Sequence, residues 1–450
     1  MIQSERIRHL NEKPVIAEKK YVLYWMQQAQ RYEYNHALEY AIEQANKLNK
    51  PLVVGFGLTD RYPEANERHY YFMLQGLQET VRALTKRGIR TVVQQGSPEL
   101  VAVELSREAC LVIADRGYLG FQQKWRSHVA EKTPCLVIQV ETDVVVPISV
   151  ASTHEEYSAA TIRRKIHVNL DAYLIPIRKI RVRNRTLRIK LKSLPLSNID
   201  RVLHRLKIDR SVSRATEYHG GTSMAKRTLG EFIKNKLSRF VVERNDPSKQ
   251  VLSSMSPYLH FGQISPLYIA LQVKAALSPG TDAYLEELIV RRELAMNYVY
   301  YNRNYGSFNG LPEWAQRTLK AHHRDIRPYT YRLSEFEQAQ THDVYWNAAQ
   351  REMTKYGKMH GYMRMYWGKK IIEWTRDPVQ AFEIALYLNN KYEIDGRDAN
   401  GYAGVAWCFG KHDRPWAQRK IFGNVRYMNA NGLKRKFPIE NYVNRILKGD

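Results

Sequence analysis

The chain has 450 residues, of which 44% are hydrophobic, so it is long enough for two or three domains with substantial cores. Its 70 Lys and Arg residues outnumber its 45 Asp and Glu residues, and the net charge of +25 favours a polyanionic partner such as nucleic acid over an acidic membrane surface. Three scattered cysteines, a polar N-terminus and no long apolar run exclude a disulfide scaffold and a membrane-spanning chain, and indicate a cytoplasmic protein without a metal site.

Residues 20–148 alternate short apolar runs with amphipathic segments, a pattern typical of a parallel sheet with helices on both faces. Strands are predicted at 21–26, 52–58, 91–95, 111–114 and 136–140. Helices are predicted at 33–49, at 66–87, from Pro98 onward and at 118–131. No GxGxxG motif follows the first strand, so no dinucleotide is expected there, although such a sheet can hold a small planar ligand at its switch point. The prediction is a doubly wound, Rossmann-like α/β domain.

Residues 149–215 break this alternation and are interpreted as an interdomain linker. Arg181, Arg183 and Arg185, followed by Arg188, Lys190 and Lys192, place a cation at every second position. In an extended conformation these side chains would form one basic face. Two interpretations stay open for it, a surface that contacts phosphates and a solvated connection.

Residues 216–450 change to long helical segments and predict a larger, mostly α-helical domain. Helices are expected at 223–243, 265–276, 282–301, 334–339, 343–354, 361–376 and 378–389.

One of these helices, in the segment 355–376, combines an apolar face with a cation. The apolar face comprises Met363, Tyr366, Trp367, Ile371 and Trp374. Trp367 and Trp374 are two turns apart, a rise of about 10 Å. Arg364 lies within the same helix and needs an anionic partner if it is buried. The residues alone favour an ordinary core, and the alternative is an anionic cofactor with a route for electrons leading away from it.

Three further stretches carry polar chemistry in the same half of the chain. A serine-rich run at 252–256 precedes Pro257 and offers hydroxyls and backbone N–H groups to phosphates. Glu286 and Glu287 are adjacent carboxylates on a predicted helix. The third stretch runs from DGRDANGY at 395–402 through Trp407 to HDRPW at 412–416.

The order and wording of these blocks resemble the photolyase–cryptochrome family, most closely its class II cyclobutane pyrimidine dimer photolyases. SPYLHFGQIS, THDVYWNAAQ, GKMHGYMRMYW, DGRDANGYAGVAW and HDRPW are all similar to that class. The similarity is dense over 216–430 and looser in the first domain, where it includes YSAATIRRKI at 157–166.

The resemblance implies FAD in the helical domain and light-dependent repair of dimers in double-stranded DNA by a monomer. It assigns FAD contacts to Phe240, Leu252, Ser253, Ser254, Met255, Ser256, Arg364, Asp395, Gly396, Arg397 and Asn400. Asn389 would lie beside the central ring of the flavin. A second, antenna chromophore, of deazaflavin or another type, is left open.

The same resemblance assigns the dimer pocket to Glu287, Met365 and Trp407. Flipping a base pair out of the duplex costs a few kcal/mol and costs least at a damaged site, and photolyases are a well-known case. The DNA contacts implied are Arg244, Asn245, Arg291, Arg414, Trp416 and Arg426. Arg291 departs from the family, where some relatives carry Trp.

For electron supply, the resemblance implies the order Trp367, Trp346 and Trp374, with Trp374 exposed. Three alternatives stay open: a signalling cryptochrome, a (6-4) photolyase and a DNA-binding protein without enzymatic activity. A cryptochrome usually has a long C-terminal tail, and a (6-4) photolyase needs a histidine acid in the pocket.

Overall fold

The structure, a computed structural model, describes residues 2–448, and its first third contains one six-stranded sheet. The strands are β1 (Ile7–His9), β2 (Tyr21–Trp25), β3 (Leu52–Leu58), β4 (Arg90–Gln95), β5 (Ala109–Asp115) and β6 (Val137–Val140). Their order is β1-β6-β5-β2-β3-β4, and every neighbouring pair is parallel except β1 with β6. The predicted doubly wound α/β architecture is therefore confirmed.

Burial explains which strands the sequence predicted well. All residues of β2, β3 and β5 are buried. Parallel strands covered on both faces appear in a sequence as continuous apolar runs, which is why these three were predicted close to their observed bounds. The antiparallel edge strand β1 was missed, because Arg8 and His9 are exposed and leave no apolar run.

Helices account for most of the remaining structure. In the first half they are α1 (His36–Lys47), α2 (Glu67–Lys86), α3 (Pro98–Ser106), α4 (Gly120–Lys132), α5 (Ile148–Ala151), α6 (Ala159–Tyr173), α7 (Ile199–Arg205), α8 (Thr222–Asn235) and α9 (Phe240–Glu243). The next are α10 (Ser256–His260), α11 (Pro266–Ala275), α12 (Thr281–Leu285), α13 (Arg292–Tyr301), α14 (Glu313–Ala321) and α15 (Leu333–Glu337). The last are α16 (Val344–Tyr356), α17 (Gly361–Trp374), α18 (Pro378–Tyr392), α19 (Ala399–Cys408), α20 (Ala430–Lys436) and α21 (Ile439–Lys448).

Two predicted helices differ in detail from those observed. The helix expected at 223–243 is interrupted by a 3₁₀ turn, Leu237–Arg239, which separates α8 from α9. The helix expected at 282–301 contains a π-helical segment, Glu286–Arg291, between α12 and α13. Such π segments are rare and often occur at functional sites.

The linker region has a definite structure of its own. It contains α5, α6 and α7, and between the last two an extended segment runs along the sheet edge at β4. We call residues 178–194 the basic strap. It forms isolated hydrogen bonds with the sheet and no strand, because its carbonyl and amide groups meet β4 only at separate points such as Leu194 N to Val93 O at 2.7 Å.

The α/β and helical parts are joined by buried arginines. Arg31 is 1% exposed, pairs with Asp143 at 2.7 Å and donates to the carbonyl of Gly262 at 3.1 Å. Arg68 on α2 donates to the carbonyl of Tyr392 at 2.7 Å. Since buried polar groups must be hydrogen-bonded, these contacts fix the sheet against the helices that carry the site. Within residues 2–448 no helix has the length and apolar character needed to cross a membrane.

Candidate flavin and DNA site

A cluster of four charged side chains surrounds the start of helix α17. Arg364 Nη2 lies 3.2 Å from Glu393 Oε1. Lys358 Nζ lies 2.8 Å from the other Glu393 oxygen and 2.7 Å from Asp395 Oδ1. Arg364 comes from α17, Lys358 from the turn before it, and the two carboxylates from the turn after α18. The cation in the apolar helix thus has the anionic partner that its burial requires.

Burial and ion pairing shift the pKa values of the two carboxyl groups in opposite directions. Burial raises the pKa of Asp395, but Lys358 and Arg364 outweigh it and hold that pKa well below its ordinary value. Burial also raises the pKa of Glu393, and here the same two cations compensate only in part, so its pKa stays above the ordinary value. Glu393 is therefore the carboxylate of this cluster that takes up a proton more readily.

The cluster offers one unused buried donor to a further anionic group. Arg364 Nε is buried and has no acceptor among the residues described, and 20% of the Arg364 side chain is exposed. A Cβ added at Gly401 would lie 2.9 Å from Asn389 Nδ2, so glycine keeps the space beside that amide open. Ser254 has φ of +56° and Met255 is in the αR region, a backbone pair that turns successive N–H groups toward one side. These features fit a diphosphate and a ring with hydrogen-bonding edges.

Several predicted cofactor residues gather around this cluster. The serine run adjoins the cluster, because the Ser256 hydroxyl contributes to lowering the pKa of Asp395. The ring of Phe240 is 5.3 Å from that of Tyr284, Leu252 is half-buried and Met255 is buried. A Cβ at Gly396 would lie 2.9 Å from the carbonyl of Asn389. Asp398 caps the next helix by accepting the backbone N–H of Asn400 at 2.8 Å.

Arg397 is the exception among these residues. Its φ is +65°, and its guanidinium turns toward the α/β part, where Nη1 lies 3.1 Å from His69 Nε2. The side chain is 1% exposed and lines a different cavity. The structure does not bring it to the charged cluster, because the left-handed backbone at this position directs it the other way.

Two members of the cluster were missed by sequence reasoning. Lys358 lies six residues before Arg364, and Glu393 lies two before Asp395. Glu393 and Asp395 lie in the turn after α18, where the sequence has no regular period. Lys358 lies in a turn, where no periodicity indicates direction.

The three tryptophans form a continuous aromatic chain. The rings of Trp346 and Trp367 are stacked at 6.3 Å with an interplanar angle of 7°, and Trp346 meets Trp374 edge-on at 5.9 Å. Trp346 Nε1 donates to the carbonyl of Trp367 at 3.0 Å, and Trp367 Nε1 donates to Gln350 at 2.9 Å. Trp346 from α16 thus lies between the two rings of α17.

The expectation that Trp374 is exposed is wrong. It is 2% exposed, because Tyr331 and His342 cover it, with ring centroids 5.5 and 5.1 Å away. Tyr331 and His342 therefore lie between the last of the three tryptophans and the protein surface.

Glu287 lies on the π-helical segment and is exposed at its surface. Its carboxylate is 3.2 Å from Arg244 Nη1, which joins two residues predicted for the dimer pocket and for DNA. The extra residue of the π turn rotates the following side chains relative to an α-helix. Arg291 pairs with Glu286 at 3.2 Å and is 51% exposed, while Asn245 is exposed beside Arg244.

A second surface alternates cations and indole rings. Arg426 lies 5.7 Å from the centre of the Trp407 ring and 5.0 Å from that of Trp416, and Arg414 lies 5.7 Å from Trp416. Buried Lys369 lies beneath Trp407 at 5.4 Å, and burial lowers its pKa to about 8. Met365 is half-buried one turn before Lys369, and its carbonyl is 4.0 Å from the Sγ of Cys408, the residue after Trp407. Such a surface can stack on bases and contact phosphates at once.

A separate cavity lies beyond the carboxyl ends of β2 and β3. It is lined from the sheet side by Met26, Gln30 and Tyr62, and from the helical side by His260 and Arg397. Gln27 Nε2 and Gln30 Oε1 are buried and have no hydrogen-bond partner among the residues described. Strand order reverses at β2, and open α/β sheets bind ligands at such a switch point.

Comparison with known proteins accounts for this combination of sites. A family model for DNA photolyase matches residues 22–181. A deoxyribodipyrimidine photo-lyase of Methanothermobacter thermautotrophicus is 53% identical over 447 residues, 99% of each chain, and one of Potorous tridactylus is 39% identical over 95% of this chain and 81% of its own. The crystal structure of a class III photolyase from Agrobacterium tumefaciens has the same fold, with a TM-score of 0.76 at 18% identity, over 96% of this chain and 87% of that one. The predicted membership is thus confirmed, and the chain belongs to the photolyase–cryptochrome family, among its deoxyribodipyrimidine photo-lyases.

Proposed function

We propose that this protein repairs cyclobutane pyrimidine dimers in DNA under light, as a monomer with FAD. The observation that carries the proposal is the single helix α17, which contributes Arg364 to the charged cluster and Trp367 to the tryptophan stack. An anion site and an electron route that share one helix suit a redox cofactor. Within residues 2–448 the buried Arg364 Nε has no acceptor and is free to meet an anionic group. The named relatives support the same reaction.

FAD is proposed to bind at the charged cluster. Reduced FAD, once bound and excited by light, would supply the electron that opens the cyclobutane ring and take it back afterwards. Arg364 provides a charge-assisted donor, and the backbone N–H groups of Ser254 and Met255 suit the diphosphate. Asn389, whose amide lies where a side chain at position 401 would collide with it, is proposed to hydrogen-bond the central ring.

The dimer is proposed to enter between the π-helical segment and helix α19. Glu287 would accept a hydrogen bond from the flipped base, and Arg244 Nη1 lies 3.2 Å from that carboxylate. Trp407 and Met365 would form the opposite wall. Arg426, between two indoles, would occupy the gap left in the duplex, and Arg414, Asn245 and Arg291 would contact the backbone.

The first experiment separates electron supply from repair. Trp346→Phe should slow light-driven reduction of oxidised FAD, because phenylalanine is harder to oxidise, yet repair normally after chemical reduction. Trp25→Phe, a buried tryptophan of the sheet, is the matched control and should photoreduce as the wild type does. Photoreduction of Trp346→Phe at the wild-type rate would show that electrons take another route.

The second experiment addresses the dimer pocket. Glu287→Gln should photoreduce normally and repair dimers poorly, whereas Glu286→Gln, whose carboxylate pairs with Arg163 at 2.7 Å, should repair normally. Repair is measured on duplexes that contain a cyclobutane dimer or a (6-4) lesion. Repair of the (6-4) lesion in preference to the dimer would refute the proposed substrate.

We also propose that the cavity beyond β2 and β3 holds an antenna chromophore with a planar ring. Its support is the pair of glutamine groups that lack a hydrogen-bond partner within residues 2–448, together with the edge-on contact of Tyr62 with Phe121 at 5.1 Å. The cavity lies between the proposed α/β domain, 20–148, and the helical domain, 216–450. The absorption spectrum should show a second pigment that Tyr62→Ala loses while FAD stays bound, and a pigment retained by that variant would exclude this cavity.

A further inference from the structure

The basic strap is a continuous cationic surface held on the edge of the sheet. Its cations are Arg178, Lys179, Arg181, Arg183, Arg185, Arg188, Lys190 and Lys192. All are exposed, and none forms an ion pair with any residue in the range 2–448. The chain contains no acidic residue between Asp171 and Asp200.

Hydrogen bonds and apolar contacts hold the strap in one conformation. Thr186 N donates to the carbonyl of Gly88 at 2.9 Å, and Arg183 N donates to Asn46 at 3.0 Å. Ile180, Val182, Ile189 and Leu191 pack on the core between the cations. The cations therefore point outward together, and a polyanion that binds them does not have to order the backbone first.

We propose that the strap is a second DNA-binding surface, which contacts the phosphate backbone of undamaged duplex away from the lesion pocket. The repeat of a cation at alternate positions places charges roughly 7 Å apart along one side. Lysines and arginines without carboxylate partners release counterions when they meet phosphates, which supplies affinity without sequence preference. The surface would hold the protein on DNA while it searches for damage.

The test compares two variants that each lose four positive charges. The strap variant carries Arg181→Gln, Arg183→Gln, Lys190→Gln and Lys192→Gln. The control carries Lys20→Gln, Arg107→Gln, Lys132→Gln and Arg227→Gln, all at exposed cations that already pair with a carboxylate.

Binding to undamaged duplex is measured by fluorescence anisotropy over a range of salt. The slope of log K against log salt should become shallower by about 2–4 for the strap variant, since each lost phosphate contact changes it by about 0.9, and by less than 1 for the control. Repair of a dimer in a short saturating duplex should not change. Equal slopes in the two variants would overturn the proposal, as would a loss confined to anionic vesicles, which would assign the strap to a lipid surface.

A second inference rests on the aromatic contacts at the buried Trp374. Tyr331 meets Trp374 edge-on at 5.5 Å, and its N–H donates to the Trp374 carbonyl at 3.3 Å. The Tyr331 hydroxyl lies 2.6 Å from His342 Nδ1, and His342 is exposed. Burial raises the pKa of Tyr331, so its phenol is protonated. A phenol paired with an imidazole next to the last indole provides both an electron and a place for its proton.

We infer that Tyr331 is the terminal electron donor of the chain and that His342 accepts its proton. This inference rests on the proposed function, in which light-excited oxidised flavin withdraws one electron through the three tryptophans. One electron passes from Tyr331 to oxidised Trp374, which regains its neutral indole. The Tyr331 O–H bond breaks, its proton moves to His342 Nδ1, and a neutral tyrosyl radical and an imidazolium result.

Transient absorption and electron paramagnetic resonance of the flavin-loaded protein test this step. The wild type should show a tryptophan radical that is replaced by a tyrosyl radical. Tyr331→Phe should show only the tryptophan radical, with faster charge recombination. Tyr329→Phe removes the tyrosine stacked on His342 at 3.7 Å and is the matched control, expected to behave as the wild type.

The outcomes distinguish a failure of the Tyr331 step from a failure of the tryptophan route. A tryptophan radical without a subsequent tyrosyl radical in the wild type, or a tyrosyl radical that persists in Tyr331→Phe, would overturn the role of Tyr331 alone. No tryptophan radical in the wild type would overturn the proposed electron route together with it.

Discussion

Replacement of Arg364 by methionine should reduce both stability and flavin affinity, for different reasons. The substitution removes one partner of Glu393, which is 1% exposed and 3.2 Å away. Removing one partner of a buried ion pair costs about 3–5 kcal/mol. Lys358 remains 2.8 Å from Glu393, and that carboxylate, whose pKa is already raised, can take up a proton. We therefore expect a loss near the lower limit, about 3 kcal/mol.

The flavin affinity should fall by a separate amount. A hydrogen bond from a charged donor contributes about 1.5–3 kcal/mol, which corresponds to a Kd weaker by about 10- to 150-fold. The double variant Arg364→Met with Glu393→Gln removes the uncompensated charge as well. The double variant should recover most of the lost free energy of unfolding, because a neutral glutamine at position 393 needs no cationic partner. It should recover none of the FAD affinity, because glutamine cannot replace the hydrogen-bond donor of Arg364.

Thermal unfolding of flavin-free protein and titration with FAD measure the two effects. The control is Arg445→Met, which removes a comparable partly buried arginine 3.8 Å from Glu352 and should leave FAD affinity unchanged. If the double variant binds FAD as tightly as the wild type does, Arg364 is not a flavin contact. If Arg364→Met is as stable as the wild type, the ion pair between Arg364 and Glu393 does not contribute to stability as expected.

Three further predictions follow from individual contacts. Arg426→Ala should lower the preference for damaged over intact duplex more than Arg244→Ala does, because Arg426 lies between two indoles; equal loss on both DNAs, measured by competition binding, would contradict this. Burial raises the pKa of Glu293 to about 8, so its contribution is present below its unfolded pKa and is lost as pH rises toward 8. The Tm of the wild type relative to Glu293→Gln should accordingly fall between about pH 5 and 8, and a constant difference would refute the shift. Gly401→Ala should weaken FAD binding, because its Cβ would lie 2.9 Å from the neighbouring asparagine amide, whereas Gly230→Ala, with no atom within 4 Å, should keep FAD and raise stability by up to about 1 kcal/mol; unchanged FAD affinity of the first variant would remove that glycine from the site.

The sequence predicted the parts of the fold that depend on buried apolar periodicity. The strand at 52–58 was predicted with its observed bounds, because every residue of β3 is buried. The structure of the basic strap was harder to predict. Its alternation of cationic and apolar residues is typical of a strand, yet only a few of its backbone groups form hydrogen bonds with β4. An alternating sequence pattern indicates which side chains face the core. It does not indicate whether a neighbouring strand forms a continuous set of backbone hydrogen bonds with the segment.

In the candidate site, too, some contacts could be predicted from the sequence and others could not. The tryptophans of α17 could be placed on one face from their spacing, but the burial of Trp374 depends on Tyr331, which is distant in the sequence. The direction of Arg397 depends on a left-handed backbone that no periodic pattern indicates. Contacts set by local spacing were therefore predictable, and contacts set by loops that pack from elsewhere were not.

The electron route depends on two helices and therefore on how they pack. Trp367 and Trp374 are about 10 Å apart along α17, too far for their rings to touch. Trp346 closes this gap only because α16 lies against α17, and Asp343 fixes the start of α16 by accepting the N–H groups of Tyr345 and Trp346 at 2.9 and 3.0 Å. Asp343 also accepts the hydroxyl of Tyr366 on α17. The one carboxylate thus sets the register of both helices, so Asp343→Ala should disturb the stack, and slow photoreduction, without removing any tryptophan.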